Sequence, residues 1–515
     1  GTSNCEPTTL MPIYRHRGFQ VIAALFLVSF SLLFSARLQL FEGVGAANRP
    51  LEPGETANLA DRNTWLSIYQ NGRRIGYAHK TFTAGETGFV IEETVFMRVS
   101  TLGMVQNLRM QTKGELDRSL GVSSFRFQVD SGRFRLVLQG RIRDAVLYLE
   151  SERDGTVQQQ QIPVKKPLYL TTALVDAVRA RGLQPGSRYS LQVFDPLTLG
   201  QSAVDVTVVE TETIRLETGP FPAAKLLLNF KGADQFAWVA GNGEVVKEKG
   251  LLGIHLEKTT RRNALAAISA ESGEDLARLA SVKSDRIISD PAALTSLQLR
   301  IDGPPSSLAA LHGGRQHYGE GVLTIRKESL EDLPARLDID RLTRLETIFL
   351  QPSLYIQSDH EKFRALTAQI LASEGAQDAR IAASRLVDWV YRNIEKRPVI
   401  SVPDALATLE NRQGDCNEHA VLLAALARAA GIPARIETGL VYLEGRFYYH
   451  AWNLLYLGRW VTADASFGQL PADVTHIRLA SGHQNQFELL GAFNRLRVEV
   501  IGPLNGHGLE ADPPG

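Results

Sequence analysis

Closely spaced hairpin patterns run through the first half of the sequence and restrict what that half can fold into. The stretch WLSIYQNGRRIGYAHKTF places Asn71-Gly72 between two strand-forming runs, and this dipeptide is typical of a tight two-residue hairpin. In SSFRFQVDSGRFRLVLQG, every second residue is apolar on both sides of a turn at 130–132. Further strand-like runs follow, with one helical interruption that ends at Gly182. We therefore expect residues 61–260 to form an antiparallel, barrel-like β domain that serves as a binding or spacer domain.

Composition places the chain among globular proteins and excludes some partners and sites. Of 515 residues, 44% are hydrophobic and 22% are charged, and 56 basic residues balance 56 acidic ones. This balance gives no overall positive field, so we expect no nucleic-acid partner. The two cysteines, Cys5 and Cys416, are too few for a disulfide framework or a zinc site. We expect no metal and no cofactor.

One uncharged apolar run lies near the N-terminus, at residues 18–36. As a helix it would be about 28 Å long, close to the hydrocarbon thickness of a bilayer. Arg15 and Arg17 precede it, which favours a cytoplasmic N-terminus. Two interpretations stay open: a permanent transmembrane anchor, which the length of the run favours, or a signal peptide cleaved near residues 43–48. Both place the bulk of the chain in the periplasm, and the anchor predicts a single-pass inner-membrane protein.

Texture changes along the chain divide it into segments. The alternating apolar pattern of the β-like half is followed by a region of mixed strand-like and helical segments. After it come segments with helical spacing of apolar residues, and then three β-like runs. The expected fold class is α+β, with an N-terminal transmembrane helix, an antiparallel β-rich domain and a C-terminal domain. In chain order we expect a cytoplasmic N-terminus, a membrane anchor, a linker, the β-rich domain, a connecting α/β region, the C-terminal domain and a tail, at residues 1–17, 18–36, 37–60, 61–260, 261–350, 351–502 and 503–515.

Cys416 lies at the predicted start of a helix. In RQGDCNEHA, Asp415 is a good N-cap residue and Glu418 follows three positions later, the spacing of a capping box. The helix is expected to continue until Gly431 stops it. A thiol in the first turn faces free N–H groups and the positive end of the helix dipole, which both stabilise the thiolate. The position favours a nucleophile, and a buried structural cysteine is the alternative.

Two strands downstream supply a base and an acid. The segment YYHAWN places His450 inside a strand, and RWVTADAS places Asp464 at the end of the next one. An aspartate is costly to bury without a partner, and an imidazole N–H on the neighbouring strand would satisfy it. Cys416, His450 and Asp464 then fit the roles of nucleophile, general base and orienting acid. Protonated His450 would also hold the Cys416 thiolate.

At these residues the sequence resembles a known family. The segments RQGDCNEHAVLLAALARAAGIPAR, YYHAWNLLYL and RWVTADASFGQ are similar to the bacterial transglutaminase-like superfamily, a branch of the papain-like cysteine enzymes. The shared features are the order helix–Cys, strand–His, strand–Asp and the Gly-Ile-Pro after the cysteine helix. The resemblance spans residues 355–500 or so, and it implies Cys416 as nucleophile, His450 as base and Asp464 as orienting acid. Asn417 stands where the animal members carry Trp, and the resemblance does not imply calcium.

The resemblance implies attack of the Cys416 thiolate on an amide carbonyl to form a thioester. Water would then complete hydrolysis, and an amine would complete transfer; the resemblance favours a protease or amidase over a crosslinking enzyme. We expect the Cys416 N–H and one further donor to hold the oxyanion. The expected substrate is a peptide or protein of the cell envelope. A catalytically silent binding or scaffold protein with the same fold is the alternative.

Several residues near the three are candidates for shaping the site. Trp452 and Asn453 lie beside His450 and are expected to line it. His419, one turn into the cysteine helix, is expected on the surface. His476 and the segment 482–486 are expected to be loop residues that shape the cleft.

Overall fold

The computed structural model describes most of the chain beyond residue 50. Cys5, the apolar run at 18–36 and the segment 482–486 lie outside the described residues. Every described residue belongs to one compact unit of the chain. The described residues are 51, 53–56, 59–132, 134–153, 156–165, 167–196, 199–230, 232–268, 273–303, 310–337, 342, 344–373, 375–399, 403–481, 496–502 and 509–510.

The strands, in chain order, are β1 Arg62–Gln70, β2 Arg73–Ala84, β3 Gly88–Thr101, β4 Met104–Asp117, β5 Val122–Ser131, β6 Phe134–Arg143, β7 Val146–Arg153, β8 Thr156–Pro163, β9 Tyr169–Leu170, β10 Arg188–Asp195, β11 Gly200–Leu216, β12 Gly219–Phe230, β13 Ala233–Ala240, β14 Val245–Lys249, β15 Ile254–Thr259, β16 Ser281–Lys283, β17 Ile287–Ile288, β18 Ser296–Asp302, β19 Gln316–Gly319, β20 Val322–Arg326, β21 Glu395–Lys396, β22 Gln413–Gly414, β23 Ala434–Leu443, β24 Arg446–Tyr456, β25 Trp460–Ala463, β26 Ile477–Ser481, β27 Arg497–Gly502 and β28 Leu509–Glu510. The α-helices are α1 Pro53–Thr56, α2 Leu174–Arg181, α3 Arg261–Ala264, α4 Leu276–Leu279, α5 Arg344–Ile348, α6 Glu361–Ile370, α7 Ala379–Asn393, α8 Ala405–Asn411 and α9 Cys416–Ala429.

The strands β1–β15 form a single 15-stranded sheet. One half runs as successive hairpins from β1 out to β8, the other runs from β15 out to β9, and β1 pairs with β15 to join them. The pairing of β9 with β10 is parallel, whereas the others in this sheet are antiparallel. At the first hairpin, φ is 47° at Asn71 and 82° at Gly72, the left-handed pair that the dipeptide predicted.

This sheet curls until its two halves share one core. The rings of Phe125 on β5 and Phe194 on β10 lie 5.4 Å apart between centroids. The N–H of Val122 donates to the carbonyl of Leu168 at 2.9 Å, and α2 buries Val178 in the same core. The curled sheet agrees with the expected barrel-like β domain.

The expected α+β class is wrong for the described residues, which are mostly β. The region expected to connect the domains holds the strands β16–β20, whereas its helices α3, α4 and α5 have only four or five residues each. Strand β16 follows directly after α4 and pairs with β24, so tertiary pairing overrides the local helical preference there. In the parts of the chain that the structure describes, no helix is both long and apolar enough to span a bilayer. The membrane helix expected in the α+β assignment, at residues 18–36, lies outside the described residues.

The C-terminal part packs helices on a second sheet. Its strands lie in the order β16-β24-β23-β26, and β25 pairs with the far end of β24. Helix α9 packs against α6, α7, α8 and this sheet, and Leu422 and Leu426 on α9 are fully buried. The sheet β19-β20-β18-β27 shares a core with it through Leu299 and Phe447. Residues 296–326 thus pack with the C-terminal domain, although they come long before it in the chain.

Candidate active site

Helix α9 begins at Cys416, as the capping residues predicted. The Asp415 carboxylate accepts the N–H of Asn417 at 2.8 Å, and the Glu418 carboxylate accepts the N–H of Asp415 at 3.0 Å. The capping box is therefore complete. It fixes Cys416 in the first helical turn, where the thiol lines a cleft of about 410 Å³.

Strand β24 and the end of β25 bring His450, which lines this cleft, together with Asp464 behind it. Nε2 of His450 lies 2.6 Å from Oδ2 of Asp464, and both side chains are buried. The other carboxylate oxygen accepts the N–H of Ser466 at 2.7 Å and its hydroxyl at 2.6 Å. The Phe467 ring stacks on His450 with 5.0 Å between centroids. Because Nε2 is bound to Asp464, Nδ1 is the imidazole nitrogen that remains to accept the proton of the thiol.

The structure thus places His450 against Asp464, and it places Cys416 in the cleft that His450 lines. The catalytic roles of the three residues stay predictions. Asn453 donates its amide to the carbonyl of Ala420 at 2.9 Å and so fastens β24 to α9. The ring of Trp452 lies 6.1 Å from that of His450, but neither Trp452 nor Asn453 lines the cleft.

A second imidazole lies on Asp464, and the sequence did not reveal it. Nε2 of His476 is 2.9 Å from Oδ2 of Asp464, and its Nδ1 is 3.2 Å from Oδ1 of Asp473. His476 lies in the loop before β26, as expected, but it is fully buried and does not line the cleft, so its expected role in shaping the cleft is wrong. Thr475 holds the Asp473 carboxylate with its N–H at 2.8 Å and its hydroxyl at 2.6 Å. His450, Asp464, His476 and Asp473 therefore form one continuous hydrogen-bonded row.

Opposite charges in this row reinforce each other. Burial alone would raise the pKa of Asp464, but the charge and hydrogen bonds of His450 and His476 hold it well below its usual range. Burial alone would lower the pKa of His476, but its hydrogen bonds to Asp464 and Asp473 raise this pKa to about 9. At neutral pH, His476 is therefore an imidazolium between two carboxylates.

We expect His476 to make the free energy of unfolding fall as pH rises. Its folded pKa of about 9 lies above the ordinary value of 6.5, so its contribution is complete below pH 6.5 and is lost as pH rises through 9. The difference corresponds to on the order of 3 kcal/mol. Urea unfolding at about pH 6.5 and about pH 9.5 measures the loss. His476→Gln should remove it, and an undiminished loss in that variant would contradict the assignment.

The surroundings of Cys416 oppose its thiolate form. Burial raises the pKa of Cys416 well above its usual value, and the negative charges of Asp415, Glu418 and Asp464 raise it further. The N–H of Ala451 favours the thiolate but is outweighed. These causes run against the expectation that the helix start and His450 hold a resting thiolate, which stays a prediction.

His419 is buried, at 1% exposure, and its expected surface position is wrong. Its Nδ1–H donates to the carbonyl of Asp415 at 2.7 Å. Burial lowers the pKa of His419, so the ring is neutral and Nε2 carries a lone pair. Nε2 has no hydrogen-bond partner among the described residues, and His419 lines the cleft beside Cys416.

His450, Asp464 and His476 are also a set whose residue types suit a metal ion, with ligand atoms within 4.8 Å of one another. The two nitrogens lie 2.6 and 2.9 Å from one carboxylate oxygen, which are hydrogen-bond distances. Ligands of one tetrahedral zinc ion would be about 3.3 Å apart. The arrangement therefore fits shared protons better than a metal.

A thiol at a helix start shares a cleft with the histidine of a strand-borne imidazole–carboxylate pair, which is the arrangement expected of a Cys-His-Asp centre. The family model described as the transglutaminase-like superfamily matches residues 364–465, which contain Cys416, His450 and Asp464. This part of the chain is therefore a transglutaminase-like superfamily domain, and the resemblance seen in the sequence is confirmed.

Three solved structures show partial similarity. A candidate cysteine protease from Cytophaga hutchinsonii is 20% identical over 40% of this chain and 81% of its own, with a TM-score of 0.27. The periplasmic domain of TgpA from Pseudomonas aeruginosa is 16% identical over 36% of this chain and 93% of its own, with a TM-score of 0.22.

A β-barrel-like protein from Brucella abortus, with a domain of unknown function, is 10% identical over 39% of this chain and 97% of its own, with a TM-score of 0.31. No curated protein matched the chain. Because all three TM-scores are below 0.5, the family assignment rests on the sequence match to residues 364–465.

Proposed function

We propose that this chain is a cysteine protease or amidase that forms a thioester at Cys416. The observation that carries the proposal is the buried 2.6 Å contact between His450 and Asp464, in a cleft that also holds the thiol. A hydrogen-bonded carboxylate fixes the tautomer of an imidazole and stabilises its protonated form. Nδ1 of His450 is then a base for the neighbouring thiol.

The proposed mechanism starts from the neutral thiol. Nδ1 of His450 takes the proton as Sγ of Cys416 attacks an amide carbonyl, and the imidazolium then gives that proton to the departing amine. Water attacks the resulting thioester and releases the acid, with His450 again as the base. Asp464 stabilises the imidazolium, and His476 holds the carboxylate of Asp464 in place.

We expect alkylation of Cys416 by iodoacetamide to accelerate steeply above neutral pH, because the thiol must first lose its proton. The second-order rate constant, measured by mass spectrometry from about pH 5 to about pH 9 with Cys5 replaced by serine, tests this. His450→Gln should slow the reaction about tenfold by removing the base. Comparable rates at pH 5 and pH 8 would contradict a protonated resting thiol.

A catalytically silent binding or scaffold protein is the second candidate function. The raised pKa of Cys416 favours it, since a thiol without a cleavage role has no need of a low pKa. Equal alkylation rates in the wild type and in His450→Gln would support this candidate against the enzyme.

We also propose that the protein acts outside the cytoplasm, on a peptide or protein of the cell envelope. The support is in the sequence, where basic residues precede the uncharged apolar run at 18–36. Protease added to intact spheroplasts should digest the β domain and the C-terminal domain. Protection of both until the cells are lysed would contradict the placement.

A further inference from the structure

The cleft above Cys416 has a wall that the β domain supplies. Leu102 at the β3–β4 turn and Leu252 at the β14–β15 turn both line it. Leu102 is 55% exposed, which is high for a large apolar side chain. The predicted catalytic residues therefore face the tips of two hairpins that come from far away in the sequence.

Leu102 and Leu252 occupy backbone positions that are unfavourable for leucine. Their φ angles are 48° and 55°, in the left-handed region where Asn, Asp or Gly is preferred. The β1–β2 hairpin has Asn71 at the equivalent place, with a φ of 47°. Leu120 also has a positive φ, but it is fully buried, so core packing accounts for it. Leu199, with a φ of 54° before β11, packs against the same core, whereas Leu102 is exposed at the cleft.

Hydrogen bonds hold the β3–β4 turn over the cleft. The carboxylate of Asp275, which caps α4, accepts the N–H of Gly103 at 2.7 Å. On the descending strand β4, the amide of Gln106 donates to the carbonyl of Pro398 at 2.6 Å. The tip is thus fixed in position relative to Cys416.

The rest of the cleft is mainly apolar. Leu443, at the β23–β24 turn and 45% exposed, lines it from the C-terminal domain. Phe467 beside His450 and Leu276 on α4 line it as well. Its volume of about 410 Å³ falls within the range of ligand pockets, about 300–1,000 Å³.

The thiol in this apolar lining decides the class of occupant. Cys416 and His450 line the cleft together with the leucines. Under the proposed function this pair attacks an amide carbonyl, which a peptide segment offers and a hydrocarbon chain does not.

We propose that this cleft binds a peptide segment with a bulky apolar side chain next to the scissile amide. Leu102, Leu252 and Leu443 contact that side chain. The position of the scissile amide rests on the proposed function at Cys416. The preference of the cleft for an apolar group can be measured without any turnover.

Alkylation of Cys416 by two reagents measures this preference. One is iodoacetamide and the other is its N-phenethyl derivative, which adds a group the size of an apolar side chain. Each rate constant is divided by that of glutathione with the same reagent, in protein with Cys5 replaced by serine. The wild type should favour the phenethyl reagent about tenfold, because an apolar group of this size is bound rather than hydrated.

Leu102→Asp should reduce this ratio to near one, because a charge replaces the apolar contact. Aspartate tolerates the left-handed backbone at least as well as leucine, so the turn is kept. Val105→Asp is the matched control, since Val105 is 50% exposed on the same hairpin and is not part of the cleft lining. It should leave the ratio unchanged.

Three outcomes would overturn the inference: a ratio near one in the wild type, an equal loss in Val105→Asp, or faster reaction with an N-octyl than with the N-phenethyl reagent. The third would assign the cleft to a lipid chain. Failure of the proposed function gives a different result. The wild type would still favour the phenethyl reagent, but His450→Gln would alkylate as fast as the wild type.

Discussion

Cys416→Ala is expected to lower kcat/KM for amide hydrolysis by on the order of 10⁴-fold or more, because the thioester cannot form without the thiol. A peptide with phenylalanine beside the scissile bond is the appropriate substrate, given the apolar lining around Cys416. The removed side chain is small and lies at the cleft, so the fold should persist. The variant should keep the wild-type midpoint of thermal unfolding within a few degrees, on the scale of a change of about 1 kcal/mol.

Cys5→Ala is the matched control, since it removes the other thiol of the chain. It should keep full activity. Activity of Cys416→Ala within tenfold of the wild type would show that another residue carries the reaction, and the proposed function would then be wrong.

Asp464→Asn is expected to reduce both stability and activity. Asp464 is 1% exposed and accepts hydrogen bonds from His450, His476 and Ser466. An asparagine has the same shape, but its NH₂ group must face some of these donors. The variant also leaves His476 buried without one of its two negative partners, a change that costs about 3–5 kcal/mol when a buried ion pair is broken.

Chemical unfolding of Asp464→Asn at pH 7 measures this loss, and kcat/KM should also fall by about 10³-fold because the His450 tautomer is no longer fixed. Asp388→Asn removes an exposed carboxylate that pairs with Arg392 on α7, and it should change stability by less than about 0.5 kcal/mol. The double variant Asp464→Asn, His476→Gln should be more stable than Asp464→Asn alone. If the losses in free energy of unfolding of the two single variants simply added in the double variant, the proposed interaction between Asp464 and His476 would be contradicted.

Local signals in the sequence predicted the position of the thiol well. Asp415 and Glu418 define the start of α9 through contacts that span only three residues, so the sequence contains all the information. His450 and Asp464 lie on strands joined by a short turn, and neighbours in sequence usually pair. The tight hairpin at Asn71 was predictable for the same reason.

Long-range packing was not predictable from the sequence. His476 reaches Asp464 because Asp473 and Thr475 shape the turn before β26, and because β26 pairs with β23. No spacing of residues in the sequence indicates either of these contacts. His419 is different: it was expected on the surface, yet it lies three residues after Cys416 on the same helix face, and this spacing could have placed it beside the thiol.

The fold class was missed for a similar reason. Strand β18 pairs with β27, about two hundred residues later, and β1 pairs with β15 at almost the same separation. The sequence predicted β1 as a strand, but nothing in it showed these distant pairings, which join strands from separate parts of the chain. The helical periodicity of α7 and α9 made the C-terminal part resemble an α+β protein, whereas most of the described chain pairs as strands.

The most direct measurement of the central claim is the intact mass of the protein during turnover. A phenylalanine-containing peptide ester, mixed with the protein and quenched in acid within milliseconds to seconds, should give a species heavier by the acyl group. Digestion should locate that group on Cys416, and Cys416→Ala should show no such species. Turnover with a wild-type mass that never changes, or an acyl group that persists in Cys416→Ala, would contradict a Cys416 thioester.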